Sequence, residues 1–360
     1  MKRFFAIFCL MSLLLSACSS QSAQIPPTSQ HPQATVQSPA SGTKPAAESE
    51  LVALTPALEL AARRALRKPD ATSYYYGMLT KELLAGITEL NVVGAAVEAG
   101  NVFACWTRLD QTALEGLENF TGLRTLYLHE YSGGTLDFLQ KTPNLETLGL
   151  TAYGPGGDPI MSVDVAAAAE HKNLKTLSVR HYRIRDKAAL GTLTGLENLE
   201  FYQCAITDLK PLESLTGLRS LTVSDGETGK EDGAVVTDLT PLKHLSSLEY
   251  LHLSGFEGSL APITELSLHS LALVNCNVSS FQDLPTAIEH LMLEKTNFVD
   301  TDFAHLPHTL KHVQLYQSVD DWSLAENTSA AFLYFPGDVD RFDVCESCET
   351  LLWPDHLVWD

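Results

Sequence analysis

The chain has 360 residues, 45% of them apolar, and a formal charge of −20. That length holds one large domain or two ordinary ones, with enough apolar residues for a sizeable core. So acidic a surface repels phosphate backbones and anionic headgroups, which argues against nucleic acid as a partner and against adhesion of the peptide body to a membrane.

The first element is an export signal over residues 1–17. Met1-Lys2-Arg3 gives a short positive start, and Phe4 to Leu15 is an apolar run too short to span a bilayer comfortably. Leu15-Ser16-Ala17-Cys18 follows. This run resembles the lipobox of bacterial lipoproteins, in which the cysteine is lipidated and becomes the mature N-terminus. The resemblance implies an exported protein held to a membrane at the cell surface by lipid on Cys18. An ordinary signal peptide followed by an unmodified Cys18 is the alternative. Loss of Lys2 and Arg3 leaves 22 basic residues against 44 acidic ones. From Ser19 to about Glu50 the composition turns to Ser, Gln, Pro, Ala and Thr without aromatics or apolar periodicity. Such a stretch cannot bury enough surface to offset its entropy, so residues 18–50 are read as lipidated cysteine plus flexible tether, with a reach of roughly 30 Å.

Next comes a helical segment, 51–86. Thr55 is placed to cap a helix with Pro56 in its first turn, and Leu58, Ala61, Ala62, Ala65 and Leu66 form one apolar stripe. Thr80 starts a second short helix through Leu84.

Residues 87–344 are dominated by the pattern L-x-x-L-x-L. Its registers start at Ile87, Leu123, Leu145, Leu174, Leu196, Leu218, Leu248, Leu268, Ile288, Leu310, Ala330 and Val339, mostly 20 or 22 residues apart. Two wider steps contain insertions, Gly154 to Pro159 and Asp225 to Gly233. An amphipathic helix would not restart its phase every 20 to 22 residues, and the apolar segments alternate with period two. The expected fold class is therefore α/β, a leucine-rich-repeat solenoid. Each repeat contributes one strand to a parallel sheet on the concave face. Thr207 to Leu218 matches Thr237 to Leu248 at the Thr-Asp pair, the Pro and each Leu, which predicts a short helical turn on the convex side.

Residues 55–90, with the repeats behind them, resemble the helical cap and repeats of internalin-type bacterial proteins. The residues carrying the likeness are Pro56 to Lys68, Leu79 to Leu84 and Ile87-Thr88-Glu89-Leu90. The resemblance implies a surface protein that binds protein ligands. It departs at one place: the family's asparagine ladder is replaced by Tyr131, Tyr153, Tyr182, Cys204, Gly226, Phe256, Cys276, Thr296 and Ser318, which predicts a weakened ladder.

Residues between and after the strand leucines should face the concave surface. The early rungs there are small and polar, and the later ones gather histidine and aromatic residues. The candidate ligand-binding residues are Tyr127, His129, Arg180, Tyr202, Tyr250, His252, His290, His312 and Tyr316, a mixture typical of interface centres. His290 and His312 should lie on adjacent rungs about 5 Å apart. They lack a third metal ligand, since Glu294 is four residues along the strand from His290. No metal is expected.

The last element is a C-terminal cap, 345–360. Cys345-Glu346-Ser347-Cys348 is a C-x-x-C read as a small disulfide closing that cap, with free thiols or a metal pair as alternatives. Cys204 and Cys276 should be three rungs apart, beyond disulfide reach. The chain contains no G-x-S-x-G, H-E-x-x-H or P-loop, so no catalytic residue and no cofactor are assigned. The expected function is non-catalytic protein binding through the concave face of a membrane-anchored envelope protein. A structural envelope component without a discrete ligand, or a redox or hydrolytic enzyme, are the alternatives.

Overall fold

Alternation of apolar and polar residues within each register makes each a strand with one face inward. The computed structural model describes residues 50–67, 77–94, 108–152, 161–224, 235–300, 307, 309–310, 312–316, 332–334 and 350–352, all within the unit Ser49–Asp360. Among these residues twelve parallel strands form one sheet in chain order, from Glu89–Val93 to Thr350–Leu352. The register never slips: Leu126 faces Leu148, then Leu177, Leu199, Leu221, Leu251, Leu271 and Leu291. These leucines are buried, as is the neighbouring column from Val92 to Leu293. A one-residue slip would turn both columns to solvent, which fixes the stacking.

The rung expected at Val339 lies outside the described residues. Strand Phe332–Tyr334 pairs directly with Thr350–Leu352, so the sheet continues into the segment read as a C-terminal cap.

The two expected helices are present. Pro56–Ala65 begins where the Thr55 hydroxyl accepts the Leu58 N–H at 3.4 Å, and Lys81–Ala85 begins where Thr80 accepts from Leu83 at the same distance. The first helix packs against strand Glu89–Val93 through Ala57, Leu58, Ala61 and Ala62. Ala65, expected in that stripe, is exposed at the last position of the helix, and Ala57 takes part instead.

Opposite the sheet run short 3-10 turns, including Ala166–Glu170, Ala188–Thr192, Lys210–Leu212 and Thr240–His244. The Thr-Asp of the repeat now has a physical role. Asp208 accepts the Lys210 N–H at 2.8 Å and Asp238 accepts the Thr240 N–H at 2.8 Å, each opening its turn. Asp164 and Asp186 do the same for Ala166 and Ala188.

Between strand and turn the chain rounds a sharp corner. Glu130, His181, Gln203, Asn275 and Lys295 all have φ between 46° and 62°, and Gly255 has φ 78°. This left-handed residue donates its N–H to the strand end of the next rung, as Gln203 does to the Ser224 carbonyl at 2.8 Å. The residue after it occupies the ladder position. There the expected weakening is only partial. Cys204 Sγ reaches the Val179 carbonyl of the preceding rung at 3.1 Å, Cys276 Sγ reaches that of Leu253 at 3.5 Å, and Thr296 Oγ1 that of Leu273 at 3.0 Å. A thiol or hydroxyl is long enough to reach back one rung. Tyr153, Gly226 and Ser318 lie outside the described residues.

Small second sheets follow the corners: Glu257–Gly258, Asn277–Ser280 and Asn297–Asp300 pair in parallel, as do Met161–Val163 and Tyr182–Ile184. At the entry to the main strands, charge alternates in sign from rung to rung. Arg124 pairs with Glu146, Lys175 with Glu197 at 3.0 Å, and Arg219 with Glu249 at 2.6 Å. Each exposed pair contributes ~0–1 kcal/mol, so the alternation matters more for register than for stability.

Candidate functional site

Outward-facing residues of the sheet align in three columns, and strand pairing places the expected site residues on them. Tyr127 and His129 share one strand, Arg180 and Tyr202 are partners on adjacent rungs, and Tyr250 and His252 share another strand. All six are partly exposed. His290 is exposed and pairs in register with His312. His312 and Tyr316 lie on strand His312–Tyr316, while Cys18, Cys345 and Cys348 lie outside the described residues.

The most connected cluster is centred on Glu200. Its Oε2 accepts the Ser178 hydroxyl at 2.6 Å, and its Oε1 pairs with the Arg180 guanidinium. That guanidinium also stands over the Tyr202 ring, 5.7 Å from its centroid. His181 meets the same ring edge-on at 5.6 Å. Further along, the Tyr127 ring lies across Gly149. A Cβ at residue 149 would come within 2.4 Å of that ring, so glycine is what lets it lie flat.

Electrostatics follow this arrangement. Burial pushes the Tyr127 phenol above its ordinary 10.0, with Glu89 and Glu200 adding to the rise. Burial raises Tyr250 too, and Glu200 adds to it. Burial holds His129 below 6.5. It also lowers His181, helped by the neighbouring Arg180 and opposed by Glu130. Both histidines therefore favour the neutral form.

The later rungs differ from expectation. Ser224, Ser254, Ala272 and Val274 stand on the outward columns but are buried, at 2 to 5% exposure. The face is open both around Glu200 and at Tyr250, His252 and His290, with these buried positions between. Sequence reasoning passed over Glu200, Ser178 and Gly149. The available signal was a lone carboxylate in the middle column, one rung from an arginine.

Among the described residues no group of three His, Cys, Asp or Glu could hold a metal ion. Nor is any helix there long and apolar enough to cross a membrane. Cys204 and Cys276 are buried, and burial pushes the Cys276 thiol up, away from the reactive thiolate.

No family model matches the chain, and no curated protein matches it. Among solved structures it is similar to an internalin (inlF) from Listeria monocytogenes, at 22% sequence identity and a TM-score of 0.51. That match covers 78% of this chain and 82% of the internalin. It also matches internalin C2 from the same species at 21% identity and a TM-score of 0.43, over 72% of this chain and 93% of the other. With its unbroken parallel register, the chain folds as an internalin-like leucine-rich-repeat solenoid.

Proposed function

We propose that the protein is a non-catalytic interaction module that binds a protein partner on the concave face of its sheet. The observation that supports this best is the partly exposed cluster of Tyr127, Arg180, Glu200, Tyr202 and Tyr250 on that face. Rigid aromatic and arginine side chains on a fixed sheet are the usual makeup of interface centres, because little rotamer freedom is lost on docking. A parallel sheet held by two buried leucine-rich columns presents them without rearrangement.

We further propose that the module is exported and tethered at a membrane through lipid on Cys18. The apolar run before Cys18 and the unstructured composition after it support this reading.

Capture from cell-envelope or host-cell extracts with the immobilised full chain tests the binding role. Changing Tyr127, Glu200, Tyr202 and Tyr250 together to Ala is expected to abolish capture of the partner. Full retention would remove the concave face from consideration. In the same preparations a Cys18→Ser variant should leave the membrane fraction. If it stays there, the lipid anchor is wrong.

A further inference from the structure

We propose that the concave face between Tyr127 and Tyr250 recognises a cationic side chain, arginine or lysine, presented by the protein partner. The proposal rests on the reading of the concave face as the binding surface and names the chemistry it selects.

Glu200 is the anchor. A carboxylate has about four acceptor positions. Protein contacts account for one on each oxygen here, Ser178 on Oε2 and Arg180 on Oε1. Glu200 keeps 32% of its side chain exposed, so its remaining acceptor capacity opens to the face. On the next rung its register partner is Thr222, with Ser220 two positions before it, both small side chains.

The molecule already holds one example of the contact. Arg180 sits simultaneously against the Glu200 carboxylate and over the Tyr202 ring. A carboxylate with an aromatic face beside it is how a cation is held at low desolvation cost. Tyr127, flat across Gly149, and Tyr250 extend the same surface to either side. Burial raises both phenols, and the Glu200 charge adds to the rise in each.

Charge favours the same occupant. On the described part of the face Glu89, Glu200 and Glu294 stand against Arg180, and the whole chain carries −20. A basic segment is drawn towards this surface, and an acidic one is repelled.

The test is fluorescence anisotropy with the purified full-length chain and a dye-labelled Gly-Arg-Gly-Arg-Gly peptide, beside its Glu counterpart. The Arg peptide should bind and the Glu peptide should not. Glu200→Gln should weaken binding about ten-fold. Arg180→Gln should tighten it several-fold, because it frees Oε1 and removes a competing cation. Glu213→Gln and Glu265→Gln, exposed carboxylates away from the sheet, should change it less than two-fold. Circular dichroism melts of each variant confirm the fold. The proposal is overturned if the Arg peptide does not bind, if Arg180→Gln weakens binding, or if Glu213→Gln costs as much as Glu200→Gln. Should the fourfold Ala variant lose the captured partner while the Arg peptide stays unbound, the docking face stands and the cation specificity falls.

Discussion

The corner after Arg180 closes with Tyr182, whereas the corner after Val274 closes with Cys276. In the first half of the sheet two corners are closed by tyrosine rings, and one of these bonds along the stack. Tyr182 donates to the Tyr131 carbonyl at 3.0 Å, and Tyr131 donates to the Thr135 carbonyl at 2.7 Å while packing edge-on against Phe138. At Cys204, Cys276 and Thr296 a thiol or a hydroxyl reaches back to a carbonyl instead, and the later rungs, 20 or 22 residues apart, add a three-stranded second sheet. Interior columns are the same kind in both halves. Leucines set the stacking, while the corner residue sets which bonds tie the corner to neighbouring rungs; Cys204 and Cys276 close steps of 22 and 20 residues, so the corner side chain does not fix the length of the repeat.

The largest break in this comparison should come from Tyr182, whose side chain is fully buried. Tyr182→Ala should cost about 3–5 kcal/mol in a denaturant melt, as a large ring leaves a cavity that a stacked repeat cannot close. Tyr182→Phe keeps the ring and loses the bond to Tyr131, at about 1–2 kcal/mol. If the two variants melt alike, packing is not what holds the corner. Alkali probes the same rings. Burial pushes Tyr131 up to about 12 and raises Tyr182 too. An unfolded tyrosine loses its proton near 10, so stability is full below that pH and declines as pH rises towards 12. Tyr131→Phe should flatten that decline.

Thr296 tests the second half. Its hydroxyl lies 3.0 Å from both the Leu273 and Glu294 carbonyls and accepts the Cys276 N–H at 3.4 Å. Thr296→Val keeps the shape and strands those groups, which should cost about 1–3 kcal/mol. A cost near zero would mean the hydroxyl only fills space.

Sequence legibility divides along the same line. The strand register, the helix starts at Thr55 and Thr80, and the convex turns with proline were readable, because period-two leucines and capping residues act locally. The second sheets were not. Asn277–Ser280 carries no alternating leucine signal and forms because the corner turns the chain alongside its neighbour. At the site, the columns were readable but their accessibility was not. Ser254 and Val274 look solvent-facing by alternation and are buried, whereas Glu200 gains its setting from Ser178 and Arg180 on another rung.

The smallest expected effect concerns the corner backbone. Lys295 has φ 46° and an exposed side chain, with only a 3.7 Å approach to Glu294. A side chain in the left-handed region costs ~1–2 kcal/mol, against ~0.5–1 kcal/mol for the extra freedom a glycine brings to the unfolded chain. Lys295→Gly should therefore stabilise the protein by roughly 0.5–1 kcal/mol. Gly255 occupies the equivalent corner at φ 78° and is buried. Gly255→Lys should destabilise by more than Lys295→Gly gains, since it adds both the strain and a charge that must leave the interior. Thermal melts of the two variants should move in opposite directions. If Lys295→Gly lowers the midpoint, the corner is held by the Lys295 side chain rather than by the backbone turn.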